Sequence, residues 1–163
     1  MNIAQFLKNQ DNLFILSKGV ACTVADFVAQ KFVQVAGIHA EAYSSAEFRH
    51  GPLSMLDEEE KTAVMFFALD DENLNQLLAN ILQVKERGAT VIVLTNLADI
   101  YTVIGPEKID HLIKVFPQPS LFASLLCCPP LLMTCYYTAL AKGLNPDTNL
   151  MESINFDQDF SQF

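Results

Sequence analysis

Apolar positions recur along the chain in two alternating rhythms. Four short runs, 12–17 (NLFILS), 62–69 (TAVMFFAL), 90–96 (TVIVLTN) and 111–116 (HLIKVF), are nearly all apolar or β-branched and barely alternate. That is how strands buried on both faces of a parallel sheet read. Between them the period lengthens to that of a helix. Residues 23–36 place Val24, Phe27, Val28, Phe32 and Val35 on one face, with Thr23 and Asp26 spaced as a capping box. Residues 71–87 place Leu74, Leu77, Leu78, Ile81 and Val84 on one face. Asp70, Asp71 and Glu72 stand at the positive end of that helix, Lys85 and Arg87 near its other end, and Gly88 stops it. Residues 119–142 form a third helical region, expected to kink at Pro129 and Pro130 and to close at Gly143.

Strands alternating with helices predict an α/β fold, a three-layer doubly wound sheet of four or five mainly parallel strands flanked by helices. Ligands in such sheets sit beyond the carboxyl ends of the strands. Here those ends carry Ser17, Lys18 and Gly19, then Leu69, Asp70 and Asp71, then Thr95 and Asn96, then Pro117. Ser17 to Gly19 is expected to be a plain strand-to-helix turn, and Asn96 to cap the turn that follows it. The chain is expected to form one domain over residues 1–163, with a helical lead-in at 1–11 and a tail at 156–163.

Composition narrows the partners. Hydrophobic residues make up 51% of the 163, enough for a sizeable core. The net charge of −9 disfavours nucleic acid and anionic membranes. The longest apolar region, 121–141, is broken by two prolines and is expected to be a buried helix rather than a membrane span. The polar start MNIAQFLKNQDN does not read as a signal peptide. Cys22, Cys127, Cys128 and Cys135 have no zinc or redox spacing and lie in apolar surroundings, as reduced buried thiols of a cytoplasmic protein do. No metal and no cofactor is expected.

The most specific feature is HAEAYSSAEFRHGP, residues 39–52, within the segment 31–56. It resembles the sugar isomerase (SIS) domain family, in which this region reads approximately HAEA-[YF]-x-x-x-E-x-x-HGP. KGLNPD at 142–147 resembles the end of the family's last long helix, and the likeness runs over residues 12–155. It is strongest to the C-terminal SIS half of the isomerase unit of glutamine–fructose-6-phosphate aminotransferases and to SIS-type glucosamine-6-phosphate deaminases. The resemblance implies a flavodoxin-like three-layer fold and phosphosugar chemistry: opening of a hexose or aminohexose phosphate ring and proton transfer between C1 and C2. It implies a homodimer or larger assembly, or pairing with a second SIS chain. It makes His50 the histidine that reaches into the neighbouring subunit's site and assists ring opening, a role that suits an imidazole, which can both donate and accept a proton. His39 and Glu41 are expected to be structural, holding a loop by hydrogen bonds, and Glu47 to start a short helix.

Three departures weigh against a self-sufficient isomerase. The family's general base stands sixteen positions before the HGP histidine, where this chain has Gln34; an amide accepts no proton there but still binds a hydroxyl. The family tail reads approximately PD-x-PR-x-L-x-K, whereas PDTNLMESIN lacks the Pro-Arg pair and carries Glu152 at the lysine position. Glu152 would repel a phosphate, or stand in as the missing base. Met151 occupies the position just before it, whose main chain contacts substrate in the family. Thirdly, the family's Ser/Thr-rich phosphate loop has no counterpart here, and the loop ALDDEN (68–73) is acidic. The resemblance therefore implies the C-terminal half of a two-SIS enzyme, needing a partner half for turnover. The alternative is a non-catalytic sugar-phosphate-binding or subunit-interaction module.

Overall fold

The computed structural model describes residues 3–56, 59 and 61–147. Five strands form one sheet: β1 (Asn12–Ser17), β2 (His39–Ser44), β3 (Ala63–Phe67), β4 (Thr90–Thr95) and β5 (His111–Lys114). Their order is β2-β1-β3-β4-β5, and every pairing is parallel. The helices are α1 (Ile3–Leu7), α2 (Ala21–Lys31), α3 (Leu74–Glu86), α4 (Tyr101–Ile104), α5 (Ser120–Leu126) and α6 (Cys128–Ala141). This is the doubly wound α/β arrangement the sequence predicts, with its switch point between β1 and β3.

The unbroken apolar runs are explained by two-sided burial. Leu13 and Ile15 of β1, with Met65 and Phe67 of β3, face the layer of α1, α2, α5 and α6. Phe14 and Leu16, with Val64 and Phe66, face the layer of α3 and α4. Parallel strands need crossovers, the crossovers are helices, and the helices cover both faces.

Several expectations are corrected. Residues 39–44, expected as a loop, are the edge strand β2, which among the described residues pairs with β1 alone. Helix α2 starts at Ala21 after Val20 with no side-chain cap, so the Thr23–Asp26 capping box does not form. Gly19, at φ 64°, makes the turn instead. The buried face of α2 runs through Val24, Ala25, Val28 and Ala29, while Phe27 points outward with the Lys31 ammonium 5.5 Å from its ring centre. Small alanines let the helix approach the sheet closely, and the bulky ring is left outside. The break in the last helical region falls at Cys127, and Pro129 and Pro130 occupy the first turn of α6, where missing N–H groups cost least. The stretch Ser120–Ala141 is only one-third buried, so it is not the buried helix its hydropathy suggests. It is long and apolar enough to cross a membrane by length and composition only.

Of the four thiols expected to be buried, Cys127 and Cys135 are, whereas Cys22 and Cys128 are half-buried. Cys127 is pushed up to about 12 and Cys135 to about 11, burial being the main cause, and their Sγ atoms lie 3.2 Å from Ala123 O and 3.3 Å from Lys31 O.

A buried polar tie joins α3 to the segment after β2. Asn80 Nδ2 donates to Ser45 O at 2.6 Å, and Ser45 N donates to Ser17 O at 2.9 Å. Asn80→Ala leaves that carbonyl without its amide donor, and is expected to cost about 1–3 kcal/mol. Urea unfolding checks this: the midpoint falls with an unchanged slope.

Candidate functional site

After Ala46 the chain makes two short 3-10 turns, Glu47–His50 and Pro52–Met55, joined at Gly51. Phe48 fixes the first of them. Its ring is buried edge-on against Phe14, 5.3 Å between centres, and against Tyr43, 5.8 Å. With Phe48 directed inward, Glu47, Arg49 and His50 are exposed. Ser54 closes the second turn, its N and Oγ both donating to Gly51 O at 2.9 and 2.7 Å. The motif thus presents His50 to solvent on a turn held by an aromatic anchor.

Gln34 lies elsewhere. Helix α2 ends in a π-turn, Phe32–Ala36, closed by Gly37 at φ 58°, and π-turns of this kind recur at functional sites. Lys31 Nζ donates to Gln34 Oε1 at 2.9 Å, which occupies the amide oxygen and leaves the NH2 group to donate. Gln34 lines an open cleft of about 620 Å3 at the sheet edge, together with Asp26, Gln30, Glu41 and Tyr43. Tyr43 O–H donates to Glu41, and this hydrogen bond, helped by burial and by the carboxylate charge, pushes the phenol above its ordinary value. His39 holds Glu41 from the other side, with Nε2 3.5 Å from Glu41 Oε1 and Nδ1 2.9 Å from Asn12 Oδ1.

The family resemblance singled out His50 and Gln34, but one subunit does not bring them into one cavity. Gln34 follows α2 on one side of the sheet, Phe48 anchors the His50 turn on the other, and His50 does not line the 620 Å3 cleft. Met151 and Glu152 lie outside the described residues. Glu41, Tyr43 and Asp26 are the cleft residues that motif reading passed over. The signal for two of them was the alternation His39, Glu41, Tyr43, which puts polar groups on one face of an edge strand.

The crevice beyond the strand ends is a second cavity, about 310 Å3, lined by Gly19, Val20, Asp71, Glu72, Asn73 and Ser120. Lys18 does not reach into it as a free cation, since its Nζ donates to Gln76 Oε1. Asn96 does not cap its own turn. It accepts from Asp70 N at 2.7 Å and donates to Gln118 O at 2.9 Å, tying the loops after β3 and β5 together. With Asp71 and Glu72 in its wall, the crevice disfavours a phosphate.

Comparison with known proteins follows the same lines. The SIS domain family matches residues 6–141. A glutamine–fructose-6-phosphate aminotransferase from Pyrobaculum aerophilum is 33% identical over 95% of this chain. The chain spans 25% of that relative's length. Among solved structures, the C-terminal domain of glucosamine-fructose-6-phosphate aminotransferase from Francisella tularensis superposes with a TM-score of 0.81 at 25% identity. That match covers 90% of this chain and 40% of the other. Tagatose-6-phosphate ketose/aldose isomerase from Escherichia coli shares the fold, with a TM-score of 0.67 at 20% identity, over 90% of this chain and 40% of its own.

The cleft geometry is testable through Tyr43. Because the Glu41 hydrogen bond is the main cause of its raised pKa, Glu41→Gln brings the phenol back toward its ordinary value near 10. An ultraviolet titration then shows one tyrosinate forming at lower pH than in the wild type. Unchanged curves show that the two side chains are not in contact.

Proposed function

The chain belongs to the SIS domain family, and from that premise we propose that it binds a hexose or aminohexose phosphate. In this reading it is the equivalent of the C-terminal half of a two-SIS enzyme of the amino-sugar-phosphate isomerase or deaminase type. The observation that carries the reading is the intact motif at 39–52, folded so that His50 stands exposed on a turn pinned by Phe48. His50 would protonate the ring oxygen as the sugar opens and take the proton back as it closes. The Gln34 amide would donate to a hydroxyl, with Met151 contributing its main chain and Glu152, at the family's lysine position, standing in as the base.

The separation of Gln34 and His50 within one subunit supports a site shared between subunits, in a homodimer or larger assembly or with a second SIS chain. A cytoplasmic location fits the four unpaired cysteines.

A second reading is favoured by specific observations. An amide at position 34, its oxygen already held by Lys31, cannot serve as the base, and the strand-end crevice is acidic. On this reading the chain is a non-catalytic sugar-phosphate-binding or subunit-interaction module.

Calorimetry with glucosamine-6-phosphate and fructose-6-phosphate, run beside a turnover assay on the same panel, separates the two. Binding with turnover that His50→Ala abolishes is the outcome for an enzyme. Binding without turnover identifies the binding module. No binding and no turnover, with and without a second SIS chain, overturns the sugar-phosphate reading.

A further inference from the structure

The outer side of β2 is open along its length. Two bonds at the ends of the strand fix which side that is: His39 N donates to Asp11 O at 3.0 Å and Ser45 N to Ser17 O at 2.9 Å. In a parallel ladder alternate residues turn both N–H and C=O to the same neighbour, so His39, Glu41 and Tyr43 face β1. The N–H and C=O groups of Ala40, Ala42 and Ser44 point the other way, and among the described residues no strand meets them. β2 runs six residues, about 20 Å. Proteins guard such an edge with lysine, proline, a bulge or a covering helix. HAEAYS has no Lys or Pro, its register with β1 is unbroken, and the edge opens into the cleft of about 620 Å3.

Side chains shape the cleft for an extended chain, and charge selects which one. Ala40 and Ala42 of β2 and Ala29 and Val33 on the opposite wall are small, so a backbone can come up to the strand. Asp26, Gln30 and Gln34, spaced four apart along α2 and its π-turn, line that wall, and Gln34 keeps its NH2 group to donate to carbonyls on the far side of an added strand. The carboxylates of Asp26 and Glu41 line the cleft, and among the described residues no Lys, Arg or His does. Lys31 beside it is held by Gln34 and the Phe27 ring, and His39 by Glu41 and Asn12. The whole chain adds a net charge of −9. A strand carrying Lys or Arg is attracted here and an acidic one is repelled. The chain's own last residues are therefore the wrong occupant, since 148–163 hold Glu152, Asp157 and Asp159 and no Lys, Arg or His.

We propose that the groove between β2 and α2 docks an extended, Lys- or Arg-bearing segment of a partner protein, which joins the sheet as a further strand beside β2. Main-chain hydrogen bonds to Ala40, Ala42 and Ser44 supply the affinity, and Asp26 and Glu41 select the side chains. The claim stands on the free edge and goes beyond the sugar reading, with which it shares the cleft.

Selection of a random heptapeptide phage library on the full chain tests it, followed by fluorescence anisotropy of the synthesised winner. Enrichment of Lys or Arg at alternate positions is expected. N-methylation of every second peptide residue is expected to weaken binding about tenfold or more in one register and little in the other, because only one edge of the added strand pairs with β2. Ala42→Pro removes an outward N–H and leaves the bonds to β1, so it is expected to keep its circular dichroism and to lose about tenfold in affinity. Asp26→Lys is expected to weaken the same peptide by reversing a charge in the cleft. A library without enrichment, N-methylation that acts equally in both registers, or an affinity unchanged in both variants overturns the proposal. Glucosamine-6-phosphate binding is measured on the same samples. A chain that binds the peptide but no sugar keeps this inference and removes the sugar reading, and one that binds sugar but selects no peptide does the reverse.

Discussion

Covering both faces of a parallel sheet is the constraint from which the other features follow. β1, β3 and β4 can be apolar at every central position only because helices lie on either side. Once both faces are committed to packing, chemistry has two places left: the ends of the strands and the outer edge of the sheet. The strand ends carry Asp71 and Glu72 and are tied together by Asn96, so the charge there does not suit a phosphate. The edge strand β2 is left with His39, Glu41 and Tyr43 in a hydrogen-bonded row beside the cleft of Gln34.

The same constraint separates the two residues of greatest chemical interest. β2 is the outermost strand, and the chain passes it once from the α2 side and leaves it toward the α3 side. Gln34 is on the approach and His50 on the exit. On the proposed function, a site that uses both draws them from more than one subunit. At position 34 the chain has an amide, which accepts a hydrogen bond from Lys31 but does not titrate.

Much of the fold was legible because its strongest signals are periodic. The runs at 12–17, 62–69, 90–96 and 111–116 locate β1, β3, β4 and β5, and the 3.6-residue spacing of Leu77, Ile81 and Val84 locates α3. β2 was missed because an edge strand need not be apolar on both faces, and HAEAYS alternates polar with small residues. The outward turn of Phe27 was missed because hydropathy ranks a phenyl ring above Ala25 and Ala29, whereas close helix-to-sheet packing favours the small side chains. The exposed face of α6 was missed for a related reason: a helix apolar on all sides gives no periodicity from which to read which side is covered. Of the proposed site, the family resemblance picked out His50 and Gln34 in sequence, but not that His50 stands outside the cleft that Gln34 lines. Glu41 was expected only as a structural hydrogen-bonding residue, and its place in the cleft came from the geometry of the edge.

The central claim is that a sugar phosphate sits at the sheet edge, between subunits. A crystal structure of the protein with glucosamine-6-phosphate tests it most directly. The account expects the sugar in the cleft beside Gln34 and Glu41 of one subunit, with the partner subunit's His50 against its ring oxygen. Sugar bound instead in the crevice of Asp71 and Glu72, or enclosed by one subunit alone, would contradict it.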